Sequence, residues 1–186
     1  MGVLTVSAEK AAVAASKIVM ERMCLIIYDV SVREITVFAC LMAAASAQTT
    51  SETNHLRLSA SASADHARPG QRVALTLDIE LKPNMHVYAP SVEGYIPIQW
   101  SMAPNAAIVA QPVVTPPPQM LHLEALDETL PVYSGRFRLV RDISIAADAK
   151  LKGAVTIEGT LRYQACDDRM CYVPKTVPLK WTLRVQ

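Results

Sequence analysis

The sequence lacks the features that mark several common function classes. Its 18 Lys and Arg residues are balanced by 17 Asp and Glu residues, so it has no basic surplus of the kind that binds phosphate backbones or anionic lipid. It contains no Gly-x-Ser-x-Gly motif, no phosphate-binding glycine loop and no metalloprotease helix motif. Only 6 glycines stand beside 12 prolines, and 51% of the residues are hydrophobic, which excludes collagen and disorder. We therefore expect neither nucleic-acid binding nor ordinary hydrolase chemistry.

An apolar stretch in the first quarter of the chain predicts export. Residues 35–47 follow Arg33 and end in the small-residue triplet Ala45-Ser46-Ala47, which is typical of a secretory signal peptide. The run is shorter than the roughly 18 to 20 apolar residues of a membrane-spanning helix, so we expect cleavage after Ala47 rather than anchoring. The sequence thus predicts a leader over residues 1–47, with the signal peptide at about 33–47, and one exported domain over residues 48–186.

The region before the apolar run is longer and more acidic than the start of an ordinary signal peptide. This predicts that translation begins further along the chain, at Met20 or Met23. Two alternatives stay open for the leader. Residues 8–27 could form an alanine-rich amphipathic helix packed on the domain. Cys40 could be acylated as in a lipoprotein, although a bulky Phe38 precedes it where a small residue is expected.

Three segments alternate between apolar and polar residues with a period of two, which is typical of half-buried strands. They span residues 73–81, 155–163 and 177–185. Shorter strands are predicted at residues 56–60, 86–89, 96–102, 106–110 and 135–145. This pattern predicts an all-β fold, an immunoglobulin-like antiparallel β-sandwich, with an up-and-down barrel as the alternative.

The stretch over residues 111–131, which includes Pro116-Pro117-Pro118, shows no clear strand. It is too long for a simple connection, and loops of this length are usually functional or disordered. We expect a long loop here that contains no strand.

The cysteines at positions 24, 40, 166 and 171 allow a disulfide framework, a metal site or a redox pair. Removal of the leader would leave Cys166 and Cys171. Residues 167–170 would form the tip of a hairpin and place the two cysteines opposite each other, where paired Cα atoms lie about 4.5 to 5.5 Å apart and a disulfide can form. Such a bond closes only about six residues and contributes about 2 kcal/mol, so it suits an exposed pair that opens and closes. An inert staple remains the alternative.

A metal site is a weaker interpretation of the same residues. His86 and His122 could add ligands for zinc or copper, and Met170, Cys171 and His86 could together bind Cu(I). Neither histidine lies at a recognised ligand spacing. We therefore expect no metal and no cofactor.

A resemblance to a known family covers about residues 55–185. The segment from Tyr163-Gln164-Ala165-Cys166 through Cys171-Tyr172-Val173-Pro174 to Leu179 closely resembles the active-site hairpin of the periplasmic N-terminal domain of DsbD-type thiol:disulfide interchange proteins. Residues 81–88 resemble the strand and aromatic-bearing turn of that family, and residues 131–137 resemble a later loop and strand. The resemblance independently implies an immunoglobulin-like fold.

The resemblance also implies roles for individual residues. Cys166 and Cys171 would be the catalytic redox pair, with Cys171 as the sulfur that forms mixed disulfides with partner proteins. Residues 130–133 would form a cap over the disulfide. The flank of the site would consist of Val132 at the tip of that cap, Tyr133, Tyr88 and His86. The acidic family residues near the sulfurs could correspond to Asp127 or Glu128.

The function that the resemblance implies is that of a periplasmic, monomeric thiol-disulfide exchange component, a protein-disulfide reductase that needs no cofactor. A thioredoxin-like domain or a membrane electron carrier would donate two electrons. Oxidised periplasmic proteins, such as a disulfide isomerase or a cytochrome-maturation factor, would accept them. The alternative is a non-enzymatic immunoglobulin-like binding or assembly module whose hairpin disulfide is only structural.

Overall fold

The computed structural model describes residues 49–124, 127–147 and 152–186, and in these ranges the chain forms strands, turns and bends. In chain order the strands are β1 (Thr49–Glu52), β2 (Leu56–Ala62), β3 (His66–Ala67), β4 (Arg72–Leu81), β5 (His86–Tyr88), β6 (Gln99–Met102), β7 (Ile108–Val114), β8 (Gln119–Leu123), β9 (Glu128–Ser134), β10 (Arg136–Ile145), β11 (Gly153–Tyr163), β12 (Ala165–Cys166) and β13 (Lys175–Val185). Within these ranges the structure has no helix with the length and hydrophobicity to traverse a bilayer. The predicted leader, residues 1–47, lies outside the described residues.

Two sheets enclose the main core. The first has the strand order β1-β2-β4-β10-β7, and the second has the order β3-β13-β11-β6. Within each sheet, neighbouring strands run antiparallel, except that β3 and β13 run parallel. Side chains from both sheets, such as Leu75 and Leu77 from the first and Leu161 and Leu183 from the second, belong to one buried cluster. The predicted immunoglobulin-like sandwich is confirmed. The barrel alternative is wrong, because the described strands divide into separate sheets whose order does not follow the chain.

A third, smaller sheet has the order β12-β5-β9-β8. Because successive side chains of a strand point to opposite faces, this sheet presents two different surfaces. Val87, Tyr133 and Ala165 belong to the main core. Tyr88, Val132 and Cys166 face the other way and form a second apolar cluster, against which Val92, Tyr95, Leu121 and Leu130 pack. This second cluster positions the candidate site.

The three long predicted strands are present as β4, β11 and β13, each extended by one or two residues at its start. The shorter predictions correspond to β2, β5, β6, β7 and β10. The expectation for residues 111–131 is wrong, because that stretch contains the end of β7, all of β8 and the beginning of β9. β7 and β8 lie at sheet edges and have no fully buried residue, so they lack the alternation that a half-buried strand shows.

Candidate active site

Cys166 and Cys171 lie opposite each other and are joined by a disulfide. Cys166 is the last residue of β12, and it forms an isolated antiparallel bridge with Cys171. Their Cα atoms are 4.0 Å apart, somewhat closer than the spacing expected from an ordinary antiparallel pair. The predicted hairpin is therefore present, and four residues form its tip.

The hairpin tip is held by the Asp167 carboxylate. Its Oδ1 accepts hydrogen bonds from the backbone N–H groups of Arg169 at 2.8 Å and Met170 at 2.9 Å, and its Oδ2 accepts one from the Tyr172 hydroxyl at 2.7 Å. These donors, the Tyr172 hydroxyl first among them, lower the pKa of Asp167 to about 2. The backbone of Tyr172 in turn donates to the carbonyl of Ala165 at 2.8 Å. The turn between the cysteines thus has hydrogen bonds of its own that do not depend on the disulfide.

The two sulfur-bearing residues differ sharply in exposure. Cys166 is 1% exposed and belongs to the second apolar cluster, whereas Cys171 is exposed. Two exposed apolar side chains lie within two positions of Cys171 in the sequence, Met170 at 56% and Val173 at 81%. The expected exposure of the pair is therefore correct for Cys171 only. A partner that approaches from solvent meets Cys171 first.

Aromatic side chains line the cleft beside the disulfide. The Tyr88 hydroxyl lies 3.9 Å from Cys171 Sγ, within the range of a weak hydrogen bond to sulfur. The Tyr95 ring packs on the Tyr88 ring with centroids 4.6 Å apart, and its hydroxyl donates to Glu128 Oε2 at 2.5 Å. That hydrogen bond raises the pKa of Tyr95 to about 12. Leu123 lines the same cleft.

Sequence reasoning missed both Tyr95 and Leu123. Tyr95 lies in the connection between β5 and β6, and Leu123 ends an edge strand. Each reaches the disulfide only through tertiary packing. Nothing in the local sequence pattern identifies either residue.

His86 lies on the buried side of the pair. It is 4% exposed, and it is the direct antiparallel partner of Cys166 across β5 and β12. Its ring meets the Tyr88 ring edge-on with centroids 5.8 Å apart. Burial lowers the pKa of His86, against the opposing effect of the charges on Asp168 and Asp167. Predicted to flank the site, His86 and Tyr88 both lie in its cleft.

The two residues predicted for the cap lie on opposite faces of β9. Val132 pairs with Tyr88 and is buried in the second apolar cluster with Cys166. Tyr133 faces the main core, and its hydroxyl donates to the carbonyl of Pro116 at 2.9 Å. Both side chains are buried. Their part in covering the disulfide stays a prediction.

The two acidic candidates also separate. Glu128 accepts the Tyr95 hydrogen bond and so contacts the aromatic lining of the cleft. Asp127 lies in the turn between β8 and β9 with a positive φ of 52°, and its side chain is 96% exposed. Glu128 is therefore the acid that the structure connects to the site.

In the part of the chain that the structure describes, no group of three or more His, Cys, Asp and Glu side chains converges in a way that could hold a metal ion. His122, considered as a ligand, is 53% exposed and lies 3.9 Å from Asp127. It is not among the residues that line the disulfide cleft.

One comparison with known proteins identifies the type of domain. The family model described as "Thiol:disulfide interchange protein DsbD, N-terminal" matches residues 55–180. No curated protein matches the sequence. Among solved structures, the N-terminal periplasmic domain of ScsB from Proteus mirabilis is similar, with a TM-score of 0.47 and 14% identity, over 75% of this chain and 50% of that one. The chain thus spans half the length of that structure. The GAE domain of yeast GGA1 is similar with a TM-score of 0.42 and 10% identity, over 74% of this chain and 98% of that one.

Proposed function

Because this chain belongs to the family of DsbD N-terminal domains, we propose that it is an exported thiol:disulfide interchange domain that carries two electrons through Cys166 and Cys171. The observation that carries the proposal is the unequal exposure of the pair. Thiol-disulfide exchange requires one sulfur that a partner can reach and one that acts as the internal leaving group. Exposed Cys171 and buried Cys166 meet these two requirements.

The proposed cycle has two halves. A donor thiolate attacks Cys171 Sγ, the Cys166–Cys171 bond breaks, and Cys166 leaves as a thiolate that takes up a proton. The second thiol of the donor then attacks the mixed disulfide, which gives a donor disulfide and a domain dithiol. In the second half, the Cys171 thiolate attacks an oxidised acceptor, and Cys166 resolves the mixed disulfide. The acceptor gains two electrons and the domain disulfide re-forms.

The donor in this proposal is a thioredoxin-like domain or a membrane electron carrier, and the acceptors are oxidised periplasmic proteins such as a disulfide isomerase or a cytochrome-maturation factor. Exposed Met170 and Val173 beside Cys171 offer an apolar contact for partners that dock briefly. The near-neutral charge of +1 lets partners of either sign approach. We place the domain in the periplasm as a monomer, in line with its family and with the predicted leader.

We further propose that the small sheet and Tyr95 protect the disulfide between encounters. Val132 packs with Cys166 in the second apolar cluster, and the Tyr88 hydroxyl lies beside Cys171 Sγ. The contact between Tyr95 and Glu128 joins the connection after β5 to the first residue of β9. Opening this contact would widen access to Cys171 without disturbing the main core.

Single cysteine variants test the proposal. Cys166→Ser removes the resolving thiol, so it should accumulate a stable mixed disulfide through Cys171 with a thioredoxin-like protein, detectable by non-reducing electrophoresis and mass spectrometry. The matched variant Cys171→Ser should accumulate none at the same concentration. Equal trapping by both variants, or trapping by Cys171→Ser alone, would contradict the assigned roles.

The alternative function, a binding or assembly module with a structural disulfide, makes a different prediction. A Cys166→Ser, Cys171→Ser double variant would lose stability yet keep its partners if the module interpretation holds. Under our proposal the double variant retains its fold by circular dichroism but transfers no electrons to an oxidised acceptor. Retained transfer would refute the carrier function.

A further inference from the structure

Three residues form a row across neighbouring strands at the centre of the site. Cys166 is paired with Cys171 on one side and with His86 on the other. Directly paired residues of antiparallel strands point to the same face, with their Cβ atoms about 4.5 to 5.5 Å apart. The His86 imidazole is therefore the side-chain neighbour of Cys166 on the side away from Cys171.

The His86 ring has an unused polar atom. Its Nε2 is buried and has no hydrogen-bond partner among the described residues. Only 4% of the His86 surface is exposed to solvent. The residue lines the cleft of about 240 Å³ that also contains Cys166 and Cys171. Buried polar atoms are nearly always paired, so an unpaired one requires an explanation such as a catalytic role.

We infer that His86 is the proton acceptor for the Cys166 thiol when the reduced domain transfers its electrons. The inference rests on the proposed exchange function and adds to it the residue that moves the proton. A buried thiol is a poor nucleophile because burial disfavours the thiolate. A neutral imidazole beside it removes that obstacle by taking the proton as the sulfur attacks.

The step balances as follows. Cys171 is first joined to one sulfur of the acceptor. The Cys166 S–H proton passes to a His86 ring nitrogen while the Cys166 sulfur attacks Cys171 Sγ. The bond between Cys171 and the acceptor breaks, and the acceptor sulfur leaves as a thiolate. The domain dithiol has been oxidised and the acceptor disulfide reduced by two electrons, and His86 then returns its proton to solvent.

Burial keeps this base neutral at the start of the step, against the effect of the nearby carboxylates. The hairpin tip contributes Asp167 and Asp168, which favour the protonated ring, and burial opposes them and prevails. On its own strand the neighbour is Tyr88. On β9 its direct partner is Ser134, which carries no charge. A second cleft that His86 lines also contains Glu80 near the end of β4 and Lys82 after it, and Arg169 lines the disulfide cleft itself.

Stopped-flow oxidation of the reduced domain by dithiobis-nitrobenzoate separates the two chemical steps. The first coloured thiolate is released when Cys171 attacks the reagent, and the second when Cys166 resolves the mixed disulfide. In the wild type, the rate of the second release should rise with pH through a pKa below the ordinary 6.5 of histidine and then stay level to about pH 8.

His86→Phe keeps an aromatic ring against Tyr88 and removes the base. Its second release should be at least about 30-fold slower at pH 7, because even an exposed thiol of pKa about 8.5 is ionised in only about 3% of molecules there and burial disfavours the Cys166 thiolate further. The rate should then increase about tenfold per pH unit up to the thiol pKa, while the first release stays within about twofold of the wild type. His86→Gln should behave in the same way. Gln is polar but does not act as a base, so this variant shows whether the rate depends on proton transfer or only on a polar side chain at position 86.

His55→Phe is the matched control. His55 is also buried, at 7% exposure, it also carries an unpaired ring nitrogen within the described structure, and it does not line the disulfide cleft. It should leave both releases and their pH profiles unchanged. A second release in His86→Phe or His86→Gln with the wild-type rate and pH profile would overturn the inference.

The outcomes distinguish this inference from the proposed function. If the wild type forms the mixed disulfide but never releases the second thiolate, both the carrier function and the role of His86 fail. If the wild type exchanges normally and the variants do too, only the role of His86 fails. Should neither variant fold, NMR titration of the wild-type ring still decides, because the pKa of His86 must differ between the oxidised and reduced protein if the ring faces the Cys166 thiol. An unchanged pKa would refute the inference.

Discussion

Reduction of the Cys166–Cys171 bond should lower the free energy of unfolding by about 2 kcal/mol. The two cysteines are five positions apart, so the bond closes a loop of about six residues, and the loop entropy released in the unfolded chain is correspondingly small. The tip keeps its other restraints on reduction, since Asp167 still accepts three hydrogen bonds and Tyr172 still donates to Ala165. The reduced domain should therefore remain folded.

The assay is urea and thermal unfolding of the oxidised and the reduced protein, followed by far-ultraviolet circular dichroism. A loss of about 2 kcal/mol corresponds to a decrease in Tm of roughly 6 to 10 °C for a domain of this size. By the thermodynamic cycle that links folding to reduction, the same difference makes the reduction potential of the cysteine pair about 40 mV more negative in the folded protein than in the unfolded chain. The stability and the potential are measured independently and must agree.

A Cys166→Ala, Cys171→Ala variant is the control, because its stability should not respond to reductant. A response would show that the effect does not come from the Cys166–Cys171 bond. A loss above about 4 kcal/mol, or unfolding on reduction, would refute the reasoning. The bond would then be a structural staple whose contribution exceeds its loop entropy, and a domain that unfolds when reduced could not carry electrons.

Three further predictions concern contacts around the site and in the sandwich. Tyr172→Phe removes the hydrogen bond that contributes most to lowering the pKa of Asp167, so this pKa, now about 2, should rise toward its ordinary 3.8 when measured by NMR titration. Because the pKa is depressed in the folded state, the stability linked to it is present above about pH 4 and is lost as the pH falls toward 2. Tyr95→Phe removes the bond to Glu128 and should increase the rate at which a small thiol reduces the disulfide, whereas an unchanged rate would show that this contact does not limit access. Gly159→Ala would place a Cβ 2.6 Å from a backbone oxygen of β6 and should cost about 1 to 3 kcal/mol by urea unfolding without changing the reduction potential.

The sandwich was predictable because its long strands bury one face and expose the other. Val177, Leu179, Trp181 and Leu183 of β13 are buried, while the residues between them are exposed, so the period of two is visible in the sequence. The edge strand β8 follows a different rule. It has no fully buried side chain, so neither alternation nor an apolar run reveals it, and hydrogen bonding to β9 determines its strand conformation.

The cysteine pair could be found from the sequence because a strand leads into it and its spacing permits a bond, and the family resemblance brought in His86 and Tyr88. The unequal exposure of the two cysteines could not be predicted. It depends on Val132 packing with Cys166, a contact made from a strand more than thirty residues earlier in the chain. The same reason hides Tyr95 and Leu123, whose role in the cleft arises only when separate connections fold onto one sheet.

The brevity of β12 has a consequence for insertions and deletions. Its two residues divide their side chains between two environments, with Ala165 in the main core and Cys166 in the second cluster. A single residue added or removed between Tyr163 and Cys166 would exchange the two, because a one-residue shift turns every side chain of a strand to the other face. In a library of length variants, this short span should tolerate no change. Chain length at this one point is therefore as constrained as the identity of the cysteines themselves.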